Sequence, residues 1–424
     1  MMSELLVLGI TIVAYYFIIF ARNVKKSIIT FFFGTLLFIL KPVEGLEFEN
    51  VGNIVSFETL GILLGMMIIV EILKESGFFT FVAINAIKMS RYKFWVVIFL
   101  IMLVIALFSA FLDNLITIML MAPIIFLIAD TLEVNPIPFL MLSIYIDNIG
   151  GMSTLIGSPL NIVLGSIGEL DFATFLGKML PITAISFLSV LFIFKVTNKV
   201  DSKVYNQRLK EKLSTIDPTK AIENKSLMYK GIIVFAIVLA GFMFHSAINI
   251  DLALIAVIGA LTLMLLTQKD FESMSKDLDW DTMFFYAGLF TIAYSLEEIG
   301  VTQAIAHLFD PLMGTPKVLM IVIAWISAFT IPFLSAVPGT LIMAPVIKLL
   351  VMNGAPFDLW YAYAIGANLG TNLTPLGAVQ NLVGVSLLEK NYQKTITFAE
   401  YMKMSVLPVL IPLILGTAYL IFFF

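Results

Sequence analysis

The chain has 424 residues, 60% of them hydrophobic and only 13% charged, with a mean hydropathy of +1.03 and a formal net charge of −4. Soluble domains hold about 45–50% apolar and about 25% charged residues, so the excess needs lipid as its solvent, and the near-neutral charge gives no reason to expect a nucleic-acid partner. Cysteine is absent, which excludes disulfides, thiolate metal sites and thiol nucleophiles, and His245 and His307 stand too far apart in sequence to suggest a metal site.

Apolar runs long enough for about 30 Å of hydrocarbon recur along the whole length. Spans are predicted near 5–21, 28–40, 58–73, 175–195, 229–246, 252–267, 282–297 and 402–424. The first is followed by Arg22, Lys25 and Lys26 and not by a small-residue cleavage site, so it reads as a membrane span rather than a signal peptide. The positive-inside rule puts that loop in the cytoplasm. The loop 41–57, with Glu44, Glu47 and Glu49, falls outside, and Lys74, Lys88, Arg91 and Lys93 fall inside again. The stretch 78–89 reads as an interfacial helix. The polar segment 197–230, with Lys199, Lys203, Arg208, Lys210 and Lys212 among its cations, is a cytoplasmic linker between a first half, 1–196, and a second half, 231–424. Both termini are then expected outside, in a plasma (cytoplasmic) membrane protein.

Two regions, 94–168 and 318–389, are apolar but interrupted. With the linker inside, residues 94–168 must cross the membrane an odd number of times, which three full spans or one hairpin plus one broken span would satisfy. Charge alone leaves both open, the first placing the acidic turn 130–135 outside and the second inside.

The halves repeat each other. NIGGMSTLIGSPLNI (148–162) matches NLGTNLTPLGAVQNL (368–382), pairing Asn148 with Asn368, Gly150 with Gly370, Thr154 with Thr374, Gly157 with Gly377 and Asn161 with Asn381. Upstream, 56–77 matches 279–300, with Thr59/Thr282, Gly65/Gly288 and Gly77/Gly300 in register. An odd number of crossings separates the copies, so they run in opposite directions. Inverted repeats with Gly-interrupted polar segments at bilayer depth are the sequence mark of alternating-access carriers, and unwound backbone there must line a wet cavity or lie within protein.

The motifs ETLGILLGMMIIVEILKESGFF, SAFLDNLITIMLMAPI, NIGGMSTLIGSPLNI and NLGTNLTPLGAVQNLVGV resemble the ion transporter superfamily. The similarity runs from about residue 50 onward. It is nearest to the arsenite/antimonite permeases, the pink-eyed dilution P-protein and the NhaD-type sodium/proton antiporters; divalent-anion/sodium symporters are more distant. The resemblance implies an all-α polytopic membrane protein, an inverted-topology repeat with two re-entrant hairpins (94–130 and 318–350) and two broken helices (137–168 and 359–389), moving as an elevator, usually in a homodimer. It places the hairpin tips at Asp113-Asn114 and Ser335-Ala336 and the breaks at Gly157-Ser158-Pro159 and Gly377-Ala378. Relatives on this branch commonly carry Asp-Asn at the second tip and Gly-Asp-Pro-Pro-Asn at the first break. Ser335 and Ser158 stand here instead.

The expected substrate or ion ligands are Asp113, Asn114, Asp147, Asn148, Thr154, Ser158, Asn161, Ser335, Asn368, Thr374 and Asn381. Gly150, Gly151, Gly157, Pro159, Pro338, Gly370 and Gly377 are the expected hinges. Sodium is a candidate at Asp113, Asn148 and Asn368, and a sodium ion or proton is the expected coupling ion. Each residue also has a structural reading: Asp113 as a helix N-cap, the asparagines as helix-to-helix hydrogen bonds, the threonines as bonds within their own helices. The function expected is secondary active transport of a small ion or oxyanion, of the arsenite/antimonite type or another inorganic anion, driven by a proton or sodium gradient or a partner ATPase. The alternatives are a sodium/proton antiporter, a sodium-coupled citrate-like symporter and, more distantly, an anion channel. No nucleotide-binding loop is present, and neither Gly-x-Ser-x-Gly nor His-Glu-x-x-His occurs, so no intramembrane enzyme is expected.

Overall fold

Helix follows helix through the whole computed structural model, which describes residues 2–20, 24–198 and 200–424 and contains no strand among them. Arg22 and Lys199, both used in the charge argument, lie outside the described residues. The eight uninterrupted predicted spans correspond to Met2–Phe20, Lys26–Leu40, Phe57–Glu75, Phe172–Thr197, Lys225–Ile248, Leu252–Thr267, Trp280–Glu298 and Phe398–Phe423. Polar caps start several of them. Ser56 accepts from the Thr59 amide at 3.1 Å, and its repeat counterpart Asp279 accepts from the Thr282 amide at 3.2 Å. Thr397 and Glu400 form a reciprocal capping box.

The duplicated glycines explain how the halves pack. A Cβ on Gly65 would lie 2.6 Å from the carbonyl carbon of Ala256, and one on Gly288 would lie 2.2 Å from that of Thr30. Phe57–Glu75 thus presses backbone to backbone on Leu252–Thr267, as Trp280–Glu298 does on Lys26–Leu40. Small residues do this in membranes because lipid gives no hydrophobic drive between helices, and close van der Waals approach must replace it.

Polar contacts sort the helix ends onto two sides. On the linker side, the Glu223 amide donates to the Ser76 carbonyl at 3.0 Å, Lys230 to the Leu266 carbonyl at 2.7 Å, and Lys269 pairs with Glu75. On the opposite side, Ser166 donates to Glu58 at 3.0 Å, His245 lies 3.3 Å from Asp171, and Lys178 pairs with Asp358. Glu71 holds Lys74 at 2.9 and 3.0 Å from its two oxygens.

These contacts decide between three spans and a hairpin. Phe94–Phe111 and Asn114–Leu132 form two antiparallel arms, and the linker helix Ser202–Leu213 grips both open ends. Asn206 accepts from the Phe94 amide at 2.6 Å, and Arg208 donates to the Leu132 carbonyl. Lys212 at 3.0 Å and Arg208 at 3.2 Å hold the Glu133 carboxyl below the usual carboxylate range. The acidic turn therefore lies on the linker side, so the segment enters and leaves there. Pro316–Leu334 and Ala336–Met352 make the second hairpin around the single residue Ser335, and Lys317 reaches the Ile421 carbonyl at 2.6 Å on the opposite side. Length and apolarity alone would count both arms of the first hairpin and the first arm of the second as membrane crossings. Their ends identify them as re-entrant.

Candidate functional site

Both broken helices stop at bilayer depth and restart after an irregular stretch. The first runs Ile137–Gly151 and resumes as Pro159–Gly168; the second runs Leu359–Gly370, makes the turn Thr371–Leu373, and resumes as Val379–Tyr392. Unwound backbone leaves amides and carbonyls that need partners, and the duplicated side chains supply them in matching register. The Asn161 amide donates to the carbonyls of Gly151 at 3.1 Å and Thr154 at 2.8 Å. Asn381 donates to Thr371 at 2.8 Å and Thr374 at 3.0 Å. The Thr154 hydroxyl donates to the Ala110 carbonyl of the first hairpin, and Thr374 to the Pro332 carbonyl of the second at 2.5 Å.

The two breaks are then tied across the pseudo-twofold axis. Asn148 donates to Asn381 Oδ1 at 3.0 Å and to Asn372 Oδ1 at 2.8 Å, while Asn368 donates to Asn161 Oδ1 at 2.9 Å. No side chain fits at Gly150, Gly151, Gly157, Gly370 or Gly377, each of which has a backbone oxygen or an Asn114 amide atom within 3.0 Å of where a Cβ would stand. Those glycines let hairpin and break touch.

One face of this knot borders a cavity of about 340 Å³. Of the sequence-selected residues, Asp113, Asn148, Ser158, Pro159 and Ser335 line it; Asn114, Asp147, Thr154, Asn161, Asn368, Thr374 and Asn381 do not. Pro338 sits one turn into the second hairpin's returning arm, its carbonyl accepting from Tyr15 at 3.4 Å. Matching the repeats does not reach Gln380, Thr371 or Tyr286, which also line the cavity. Gln380 donates to Asn148 Oδ1 at 2.7 Å, and the buried Tyr286 hydroxyl has no partner among the described residues. Lys25, Lys26, Asp279 and Asp281, at linker-side helix ends, form the cavity's other boundary. A separate hollow of about 280 Å³ beside Tyr145, Phe194 and Pro408 is mainly apolar and holds none of the duplicated residues.

Four helices begin at the cavity. Asn114–Leu132 is capped by Asp113, whose carboxylate accepts from the Leu115 amide at 2.7 Å. Pro159–Gly168, Ala336–Met352 and Val379–Tyr392 start at Ser158, Ser335 and Ala378 with no side-chain cap. A helix N-terminus carries a partial positive charge, so three starts without a side-chain cap make the cavity wall attractive to anions, with Asp113 the one carboxylate among the four starts; Pro159 brings no N–H of its own and the Ala336 amide donates to the Gly377 carbonyl at 3.0 Å. Ser335 holds φ +71° and ψ 151°, a conformation otherwise nearly confined to glycine, which bends the second tip back in one residue. No cluster of His, Asp or Glu suited to a metal ion occurs among the described residues.

The family model described as "Citrate transporter" matches residues 15–366. An uncharacterized transporter of Mycobacterium tuberculosis is 32% identical over 376 residues, covering 86% of each chain. The P protein of Mus musculus is 28% identical over 87% of this chain and 54% of its own length. The solved YdaH transporter of Alcanivorax borkumensis, described as having an unusual topology, superposes with a TM-score of 0.61 at 16% identity, over 94% of this chain and 98% of that one.

Proposed function

Because the chain belongs to the citrate transporter family of membrane transport proteins, we propose that it is a secondary active carrier of a small anion, with carboxylates such as citrate as the substrate class to test first. The observation that carries this reading is the convergence of three uncapped helix N-termini on one cavity. Ser158, Ser335 and Gln380 would bind the anion beside the helix N-termini, and the unpartnered Tyr286 hydroxyl would donate a further hydrogen bond. Among the described residues no arginine lines the cavity, and Lys25 is paired with Asp281 at its edge. A multiply charged anion would therefore travel with a coupling cation, a proton or sodium.

With the lysine-rich linker in the cytoplasm, the cavity faces inward and this conformation is inward-open. Alternating access would carry the hairpins and broken helices past Lys26–Leu40, Phe57–Glu75, Leu252–Thr267 and Trp280–Glu298 as an elevator, within a homodimer in the plasma membrane. The test is uptake of citrate, succinate, arsenite and chloride into sealed proteoliposomes under imposed sodium and proton gradients. Saturable, gradient-dependent citrate uptake supports the reading. Uptake of arsenite alone would move the substrate to the inorganic class, and ohmic conductance without saturation would make the protein a channel.

A further inference from the structure

Asp147 is unlike every other acid in the chain. It sits within Ile137–Gly151, has 0% exposure, and among the described residues neither of its carboxylate oxygens has a hydrogen-bond partner. A fully enclosed, unpaired carboxylate charge costs several kcal/mol even after relaxation, so the protein either compensates it with a positive charge or keeps it neutral. Among the described residues no lysine, arginine or histidine pairs with it. Metal ligation has no support, because no metal-type cluster includes it among the described residues and it lines neither the 340 Å³ cavity nor the 310 Å³ cleft on the opposite side. A proton is the positive charge that needs no space.

We propose that Asp147 is the proton carrier of the transport cycle, a site distinct from the substrate cavity and closed behind the tip of the first hairpin. The proposal rests on the carrier reading above and specifies its coupling ion. The closure is built from Ser109, whose hydroxyl lies between Asn114 Oδ1 at 2.8 Å and the Asp147 backbone carbonyl. That single side chain ties the hairpin tip to the helix turn bearing the acid. When the tip withdraws, the contact parts and water reaches the carboxyl; the proton leaves an Asp147 oxygen for that water, or returns from it, and no other bond changes.

Asp113 caps the returning arm of the same tip. The helices packed against Ile137–Gly151 otherwise bring tyrosines (Tyr361, Tyr363 and Tyr392, with Tyr145 on the helix itself) and charges near their own ends: Asp130, Lys178, Lys195, Glu389 and Lys390. Repeat symmetry sharpens the assignment. Asp147 corresponds to Ala367 and Asp113 to Ser335, so both acids belong to the first half while the second half presents only neutral groups at the equivalent places.

The test begins without substrate. Infrared difference spectra of the full-length protein in potassium buffer, taken across a pH series, should contain the carbonyl stretch of a protonated carboxylic acid. That band should be lost in Asp147→Asn, kept in Asp113→Asn, and shifted but present in Asp147→Glu. An unchanged band in Asp147→Asn, or its disappearance from the wild type when sodium replaces potassium, would overturn the proposal, the second outcome assigning the site to a metal cation. Should Asp147→Asn not fold, the Asp147→Glu shift and the sodium comparison decide. In proteoliposomes, citrate uptake by the wild type should follow a proton gradient, and Asp147→Asn should lose that dependence. Absence of citrate uptake by the wild type would count against the substrate class alone, because the infrared result stands independently of it.

Discussion

The side-chain amide of Asn148 stands 3.0 Å from the Asn381 oxygen, bridging one broken helix to the restart of the other. Asn368 repeats the bond to Asn161 at 2.9 Å from the other half. Removing a donor here strands a buried acceptor, at a cost of about 1–3 kcal/mol. Asn148→Ala and Asn368→Ala should each lower the detergent-solubilised melting temperature, and the double variant should lose about the sum of the two, because the bonds share no atom. A double variant no worse than either single one would show that the two bonds form one unit.

Acid placed at the uncapped starts separates an anion carrier from a cation carrier. Ser158→Asp should cap Pro159–Gly168 and raise stability by about 0.5–2 kcal/mol, while abolishing anion uptake by repulsion at the same spot. Retained or improved uptake in a stabilised Ser158→Asp protein would point to a cation instead. Thermal unfolding and proteoliposome flux on one preparation give both numbers.

Ser335 is strained as it turns the second hairpin. Ser335→Gly should relieve about 1–3 kcal/mol, and the melting temperature should rise. The same change deletes a hydroxyl from the cavity wall, so the apparent affinity for the anion should fall even as the fold becomes more stable. Stabilisation with unchanged affinity would remove Ser335 from the binding surface.

On the side opposite the linker, Asp171 joins the start of Phe172–Thr197 to Ser246 at 2.5 Å and His245 at 3.3 Å on Lys225–Ile248. Burial pushes its carboxyl up, but hydrogen bonds from Ser246 and Thr174, with His245 nearby, hold it below the ordinary range. A carboxyl lowered on folding adds stability at pH values above its unfolded value, and that share disappears as pH falls through the lowered one. Asp171→Asn should therefore melt earlier than wild type near neutral pH, with the difference closing below about pH 4. A difference that stays constant from pH 7 to pH 3 would show that charge is not involved.

Helix packing predicts a contrast between two glycines. Gly288→Ala would drive a methyl group into the Thr30 backbone, whereas Gly177 has nothing within 4 Å. Gly288→Ala should cost about 1–3 kcal/mol and Gly177→Ala should leave the melting temperature unchanged or slightly higher.

The sequence disclosed the repeat because asparagines, threonines and glycines must recur wherever a helix is opened twice in the same way. It left the hairpins undecided on charge, since the deciding contacts (Asn206 to Phe94, Arg208 to Leu132) join residues more than seventy positions apart. Gln380 and Thr371 escaped the comparison because they differ from their counterparts, Leu160 and Gly151; self-similarity finds only what the halves share. Tyr286 escaped because it reaches the cavity from a helix outside the breaks. The pairing of Glu71 with Lys74 was available from i,i+3 spacing alone.

The helix Ser202–Leu213 has a mechanical consequence. By gripping both feet of the first hairpin it acts as a strut, so that hairpin cannot spread at its base and any opening must happen at the Asp113 end. A lysine-rich segment, which composition alone would take for a slack tether, thus holds the two feet of that hairpin together as one stiff piece.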